Sequence, residues 1–333
     1  MRKYYPTRVY DGCISGDFLN VIVEKHQHSF SYGWRANRKN NEDQGHWNVP
    51  VCIQDKKSLV DITPVLLGKD EHVHALWIYL KKYFLGERKL SRVYINGYTY
   101  GTDGYIHRDD SLFEELGTES PFSETVVVYL NKEWEMNWGG ETAIVGNDGE
   151  ISKSVIPKFT RMLIFDGQMQ HASRPLSRMC KELRMVLVFK TVQSAQKNLI
   201  DNVYDLTINN KHSGRTFFEH LVGTSAIALK LGASDDVINA CLFHSVYGTE
   251  LYKNKTTITR DQVREWIGIN AELLVYTYSV TIDRSQTFTN GYIDKESANS
   301  SFYKDLLFIE YCNILEQNPT SDKLETLKRL IFL

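Results

Sequence analysis

The sequence has no uninterrupted apolar run of about 18 residues, no low-complexity tract, no internal repeat and no CxxC pair. Each absence excludes a class of protein. Without the long apolar run there is no candidate bilayer span, and the polar start MRKYYPTRVYDG lacks a signal-peptide core. The five cysteines, Cys13, Cys52, Cys180, Cys241 and Cys312, lie too far apart to suggest a disulfide framework or a zinc knuckle. A charge surplus is also missing: 39 Lys and Arg against 41 Asp and Glu, net −2, gives no global field to recruit nucleic acid or an anionic membrane. The expectation is a cytoplasmic protein with reduced thiols, no membrane attachment, no strong nucleic-acid signal and an open oligomeric state. What is present is ordinary globular material, 42% hydrophobic and 24% charged over 333 residues, long enough for two domains.

The texture changes near residue 195, which divides the chain into expected domains 1–195 and 196–333. Before it, β-rich runs alternate with turn residues: Arg92–Tyr100, Thr125–Leu130, Arg161–Phe165 and Arg184–Val192. They predict an antiparallel sheet or barrel. In the first run Tyr94, Asn96, Tyr98 and Tyr100 recur at every second position, so a polar-aromatic row shares one strand face, as a wet pocket lining would. The segment His74–Arg88, with Leu76, Ile78, Tyr79, Leu80 and Tyr83, reads as an amphipathic helix supporting the sheet. After residue 200 the period becomes helical at Gly214–Leu231, Asp235–His244, Asp261–Val280 and Ser301–Leu315, which predicts a mainly α second domain.

The strongest local signal is His107-Arg108-Asp109. On a strand, residues two apart project to one side, so imidazole and carboxylate can meet one metal ion. Further on, His171 follows the apolar run Arg161–Phe165 and the turn Asp166-Gly167, placed to supply a third ligand. Two His and one carboxylate make the facial triad that holds non-haem Fe(II) and leaves positions open. Arg184 then begins a strand on which Arg184, Val186 and Val188 face one way, and a cation buried there needs an anion.

From about Arg92 to Val192 the sequence resembles the prolyl-4-hydroxylase-like branch of the Fe(II)/2-oxoglutarate dioxygenases. NGYTYGTDGYIHRDDS resembles that family's tyrosine-bearing strand running into HxD, WGGETAIV its GGET element, VIPKFTRMLIFDGQMQHASRPL its last-ligand passage, and LRMVLVFK its closing strand. The resemblance implies an α+β chain, a double-stranded β-helix (jelly roll) followed by helices. It implies His107, Asp109 and His171 as the iron ligands and catalytic centre. It also implies Arg184 as the base that binds the distal carboxylate of 2-oxoglutarate, a task suited to its planar fork. Tyr98 becomes a candidate hydrogen-bond donor to 2-oxoglutarate, and Tyr105 a candidate for the same face. Fe(II), 2-oxoglutarate and O2 are the implied cofactor and cosubstrates, with ascorbate as an accessory reductant.

Two departures stand out. The family commonly places the anchoring base nearer Lys181, but Lys181 lies in a charged run with Arg178 and Glu182, whereas Arg184 opens the apolar strand. Phe159-Thr160 stands where a glycine commonly marks the turn before the last-ligand strand. In the GGET element, Gly139 and Gly140 are read as permitting a tight turn or bulge, and Glu141 is given no catalytic role. Arg174 and Arg178 are read as solvent or channel charges, and Tyr94 and Tyr100 as either packing or substrate contacts. His26 and His28 form an HxH without an identifiable carboxylate partner and are read as a surface pair; His46, His72 and His74 carry no comparable context.

The helical half is similar, more distantly, to the opening helices of HD-type metal phosphohydrolases, in RTFFEHLVGTSAIALKLGASDDVINACLFHSVYGTE. His220 and His244 would survive from that pattern, but Ser245 stands where the Asp belongs and the later helical Asp is replaced near Tyr276. Two imidazoles without carboxylates make a weak site for a hard divalent ion, so a scaffold, partner surface or substrate lid is the expected role. The reading of the whole is a hydroxylase releasing succinate and CO2, acting on a prolyl or other peptide side chain or on a free amino acid or small metabolite. Asp109 speaks against the related halogenases, which leave that iron position to halide. The alternatives are a non-catalytic binding module and an HD-like domain acting on a phosphorylated ligand.

Overall fold

The β-branched and aromatic runs of the first half pair into two antiparallel sheets in the computed structural model of the chain, which describes residues 6–34, 45–53, 60–102, 104–109, 123–192, 199–207, 209–212, 214–248, 258–289 and 300–332. The strands are β1 (Arg8–Tyr10), β2 (Ser31–Trp34), β3 (His46–Ile53), β4 (Lys89–Tyr98), β5 (Glu124–Tyr129), β6 (Thr142–Val145), β7 (Ile151–Val155), β8 (Met162–Asp166), β9 (His171–Ser173) and β10 (Arg184–Val192). The larger sheet has the order β1-β8-β5-β10-β4-β3-β2 and the smaller β7-β6-β9. Two compact units are present, Met1–Lys197 and Asn198–Leu333, and the expected boundary at residue 195 falls outside the described residues.

Strand alternation builds the core of the first unit. Tyr94, Val127, Tyr129, Leu163, Phe165, Val186 and Val188 point from the larger sheet onto Ile144 and Val155 of the smaller one. The opposite face of β10 is also buried, because Phe189 stacks on Trp77, ring centroids 6.1 Å apart, from the helix Glu71–Leu80. Covering on both faces explains why every residue of β5 is buried and why Val126, Val127 and Val128 follow one another without polar alternation. Asp70 caps that helix by accepting from the His72 and Val73 amides, and its other oxygen pairs with His26 Nε2 at 2.7 Å, tying in the helix Gly16–His26. At the start of β5, buried Glu124 receives both Arg8 and Arg88. Two sheets facing each other in this way form the double-stranded β-helix, and the chain is α+β, with helices following.

Several local expectations need correction. Tyr100 lies past the end of β4 and is 65% exposed, so the shared row stops at Tyr98. On the supporting helix Leu76 and Leu80 are buried as expected, but Ile78 is 45% exposed and Trp77 is buried in its stead, and the helix closes in a π-type turn, Lys81–Leu85. HxD does not sit on a strand: His107 makes an isolated bridge to His171, with reciprocal amide bonds of 3.1 and 2.9 Å. His26 has a carboxylate partner after all, Asp70, contributed from 44 residues away.

In the second unit, Thr216 and Glu219 form a capping box at the start of the helix Phe217–Lys230, and Gly232 follows its end at φ 76°. Leu231, the last residue of the segment expected to be helical, is 40% exposed because it caps the helix beyond its last turn. The expected segment Asp261–Val280 is two helices, Arg260–Ile267 and Ile269–Val280, broken at Gly268 with φ 86°. These pack with Asp235–Phe243 and Ser301–Gln317 around a buried interior. No helix among the described residues is long and apolar enough to cross a membrane.

Candidate active site

Between the sheets of the first unit a pocket is lined by His107, Asp109 and His171, by Tyr94, Asn96 and Tyr98 of β4, and by Arg184, Val186 and Val188 of β10. The metal-ligand geometry comes from backbone pairing. Asp109 N donates to Gly167 O at 2.9 Å, so the bridge at His107 and this bond hold the HxD segment against the chain leading into β9. Gly104 permits that approach, since a Cβ there would lie 2.8 Å from Ser173 N.

The side chains converge. Asp109 Oδ1 lies 3.3 Å from His107 Nε2 and 3.5 Å from His171 Nε2, and one ligand atom from each residue falls within 4.8 Å of the others. Each imidazole is oriented from behind: His107 Nδ1 donates to Tyr105 O at 2.7 Å and His171 Nδ1 to Met169 O at 2.9 Å. Carbonyls can only accept, so both Nδ1 atoms carry the proton and both Nε2 lone pairs face Asp109. Burial, partly offset by Asp109, lowers the His171 pKa, which keeps that ring neutral and able to ligate. Burial alone would raise the Asp109 carboxyl, but the Lys190 ammonium beside it outweighs burial and holds it well below the carboxylate range. Thr125 Oγ1 donates to Asp109 Oδ2 at 2.5 Å, leaving Oδ1 directed at the imidazoles. Two neutral Nε2 donors and one ionised carboxylate oxygen suit a divalent first-row metal. Tyr105 contributes its carbonyl, and its ring is 40% exposed.

Arg184 is 1% exposed, and burial lowers its pKa. Its Nε donates to Gly140 O at 2.6 Å and its Nη2 to Thr142 Oγ1 at 2.9 Å. The rings of Tyr98 and Tyr129 lie 5.4 and 5.5 Å from the guanidinium carbon. Among the described residues no carboxylate lies within ion-pair distance, so a buried cation opens on the pocket with only neutral partners. A dicarboxylic 2-oxo acid fits that need. Asn131 places the arginine by accepting from Met185 N at 2.7 Å and donating to Leu183 O at 2.8 Å. Lys181 is exposed.

Sequence reasoning missed three contributors. Gly140 does more than turn the chain: its carbonyl holds Arg184, and a Cβ on it would lie 2.7 Å from Leu176 and 3.0 Å from Arg184 Cδ. His46 is buried and stacks on Tyr98, centroids 4.7 Å apart. Lys190 Nζ reaches Asp109 Oδ1 at 2.5 Å. The two-residue period of β10 would have placed Lys190 on the pocket face with Arg184.

The second unit brings His220 and His244 together, with Nε2 atoms 3.3 Å apart. Their Nδ1 atoms face Glu316 Oε2 at 2.6 Å and Cys241 O at 2.7 Å. The tyrosine beside His244 is Tyr278, centroids 5.4 Å apart, whereas Tyr276 lies under Arg260. No third metal-ligating group joins the pair among the described residues.

Residues 94–189 match the family described as the 2OG-Fe(II) oxygenase superfamily. The first unit therefore carries a 2OG-Fe(II) oxygenase domain, and the chain is a 2-oxoglutarate-dependent non-haem iron dioxygenase, with Fe(II) as its metal and 2-oxoglutarate as its cosubstrate. Residues 206–284 match a domain of unknown function (DUF6817), which gives the HD-type resemblance no support. No curated protein matches the chain. Among solved structures, the chain is similar to a Pseudomonas putida prolyl-4-hydroxylase at 16% identity, covering 57% of this chain and 93% of that one, TM-score 0.39. It is also similar to a Trichoplax adhaerens prolyl hydroxylase in complex with a hypoxia inducible factor oxygen degradation domain peptide fragment, at 16% identity, 56% and 83% coverage, TM-score 0.40. A third is an oxidoreductase of the 2OG-Fe(II) oxygenase family from Burkholderia pseudomallei, at 13% identity, 56% and 84% coverage, TM-score 0.40.

Proposed function

We propose that His107, Asp109 and His171 hold Fe(II), that Arg184 binds the distal carboxylate of 2-oxoglutarate with Tyr98 beside it, and that the enzyme hydroxylates an unactivated C–H of a prolyl or other peptide side chain, or of a free amino acid or small metabolite. The observation that carries this reading is Arg184: a buried guanidinium without a carboxylate partner among the described residues, opening on the same pocket as the three converging metal-ligand atoms. When bound, the metal and 2-oxo acid supply the oxidising chemistry, with release of succinate and CO2. The chain's own residues position it. Tyr105 O and Met169 O fix the imidazole tautomers, Thr125 fixes the Asp109 carboxylate, and Gly140 and Thr142 aim Arg184. The third protein ligand, Asp109, favours hydroxylation over halide transfer. For the helical unit we favour a scaffold or partner-binding role, supported by a histidine pair whose four ring nitrogens all have partners.

The test is anaerobic Fe(II) and 2-oxoglutarate binding followed by oxygen-dependent succinate release, for wild type, His107→Ala and Arg184→Ala. Succinate release should vanish in His107→Ala, and 2-oxoglutarate binding should weaken in Arg184→Ala by about tenfold or more, the size of a lost charged hydrogen-bond pair. A folded wild type that binds neither ligand would overturn the reading. Peptides and amino acids are then screened for a product heavier by one oxygen atom.

A further inference from the structure

Lys190 is unused by the reading above. Arg184, Val186 and Val188 of β10 line the pocket, and Lys190 is the next residue at the same two-residue period, at the pocket's edge beside Asp109. Its stem passes Tyr94, with Nζ 5.5 Å from the ring centroid, and Nζ meets Asp109 Oδ1 at 2.5 Å. The same oxygen faces both imidazole Nε2 atoms, while Oδ2 is taken by Thr125. An ammonium therefore occupies the carboxylate oxygen that a metal ion must share.

Two consequences follow from charge. Without metal, Lys190 offsets the buried Asp109 and keeps the carboxylate in place. With metal, a cation already at that oxygen repels the divalent ion, and the repulsion is relieved only when an anion enters beside it. Lysine suits such an exchange, being a compact charge on a flexible four-carbon stem with three donors. The incoming 2-oxo acid of the proposed reaction carries two carboxylates, and Arg184 accounts for one of them.

Resting on the function proposed above, we infer that Lys190 is a second carboxylate anchor of the pocket, which passes from Asp109 Oδ1 to the metal-proximal carboxylate of 2-oxoglutarate as the site is loaded. Arg184 and Lys190 then divide the dianion between them. Lys190 thereby opposes metal binding in the empty site and favours cosubstrate binding in the metal-loaded one, so its removal moves the two affinities in opposite directions.

The experiment measures Mn(II) affinity of the full chain, and then affinity of the Mn(II)-loaded chain for 2-oxoglutarate and for 2-oxobutyrate, which lacks the distal carboxylate. Wild type is compared with Lys190→Met, Lys190→Gln and Arg184→Met. Mn(II) alone should bind both Lys190 variants roughly severalfold more tightly. Their affinity for either 2-oxo acid should fall about tenfold to a hundredfold. Arg184→Met should lose 2-oxoglutarate affinity and leave 2-oxobutyrate unchanged. Unchanged 2-oxo acid binding in both Lys190 variants, or Mn(II) binding lost from both, overturns the inference and leaves Lys190 as a support for Asp109. Those results leave the proposed function standing. A wild type that takes up Mn(II) but neither 2-oxo acid overturns that function, and this assignment with it.

Discussion

Each unit of the chain contains two histidines within hydrogen-bonding reach of a common neighbourhood, and the position of the carboxylate separates them. In the jelly roll, both Nδ1 atoms are spent on carbonyls, and the carboxylate lies on the Nε2 side, between two lone pairs. In the helical unit the carboxylate, Glu316, lies behind His220 at Nδ1, and the Nε2 atoms face each other at 3.3 Å. His244 Nδ1 must donate to Cys241 O, which leaves its Nε2 turned on His220 Nε2. One arrangement converges on a space and can take a metal. The other closes on itself and serves the interior of a helical bundle.

The sharpest break of this comparison is a pair of substitutions read in two assays. His107→Ala should lower Mn(II) or Fe(II) affinity more than about a hundredfold, since even outer-shell partners of metal ligands carry ten to a hundredfold. It should hardly move the denaturant midpoint, because the ring is part-exposed and its loss strands no buried ion pair. His244→Ala should do the reverse, leaving metal affinity unchanged and destabilising the protein by about 2–4 kcal/mol, as for a buried network deprived of one member. If His244→Ala instead lowered metal affinity and spared stability, the distinction drawn from carboxylate position would collapse.

A smaller effect tests how the pocket holds its own cation. Gly140→Ala places a Cβ against Leu176 and Arg184 Cδ at a residue with φ 73°, so both backbone and packing resist it. We expect about tenfold weaker 2-oxoglutarate binding, with a stability loss of about 1–3 kcal/mol for the overpacking. Equal affinity with lowered stability would show that Gly140 serves the turn alone.

The fold class and the pocket-facing row Tyr94, Asn96, Tyr98 were legible because strands covered by a second sheet repeat at two residues. The convergence of His107, Asp109 and His171 was legible from their order along the chain, but not its cause, since HxD lies on an irregular segment held by the His171 bridge. Contacts between distant segments carried no local signal: the Asp70 partner of His26, the His46 stack on Tyr98 and the Gly140 carbonyl on Arg184 each join residues at least 44 apart. The break at Gly268 was readable in principle, because its φ of 86° is what glycine uniquely permits, yet the apolar period runs through it.

The smallest expected effects concern the turn before β8, where Thr160 stands in place of the glycine common in similar sequences. The backbone has kept the glycine conformation, with Thr160 at φ 65°, which costs a β-branched residue about 1–2 kcal/mol. Arg161 next to it is clamped by Asp11, with Nε to Oδ1 at 2.7 Å and Nη2 to Oδ2 at 2.8 Å, and Lys158 adds a third contact. Arg161 chiefly holds the Asp11 carboxyl down to about 2, against an ordinary value of 3.8. A depressed carboxyl contributes stability that is present above the unfolded value and lost as pH falls through the folded one, so the clamp should fade between about pH 4 and pH 2. Because Asp11 is part-exposed, its contribution stays under about 1 kcal/mol. Thr160→Gly should raise stability by about 1 kcal/mol at neutral pH, less whatever unfolded-chain entropy the glycine adds. Asp11→Asn should remove the acid-dependent increment and leave Thr160→Gly its full gain. If Thr160→Gly destabilised the protein instead, the threonine side chain would be contributing packing that outweighs its backbone strain.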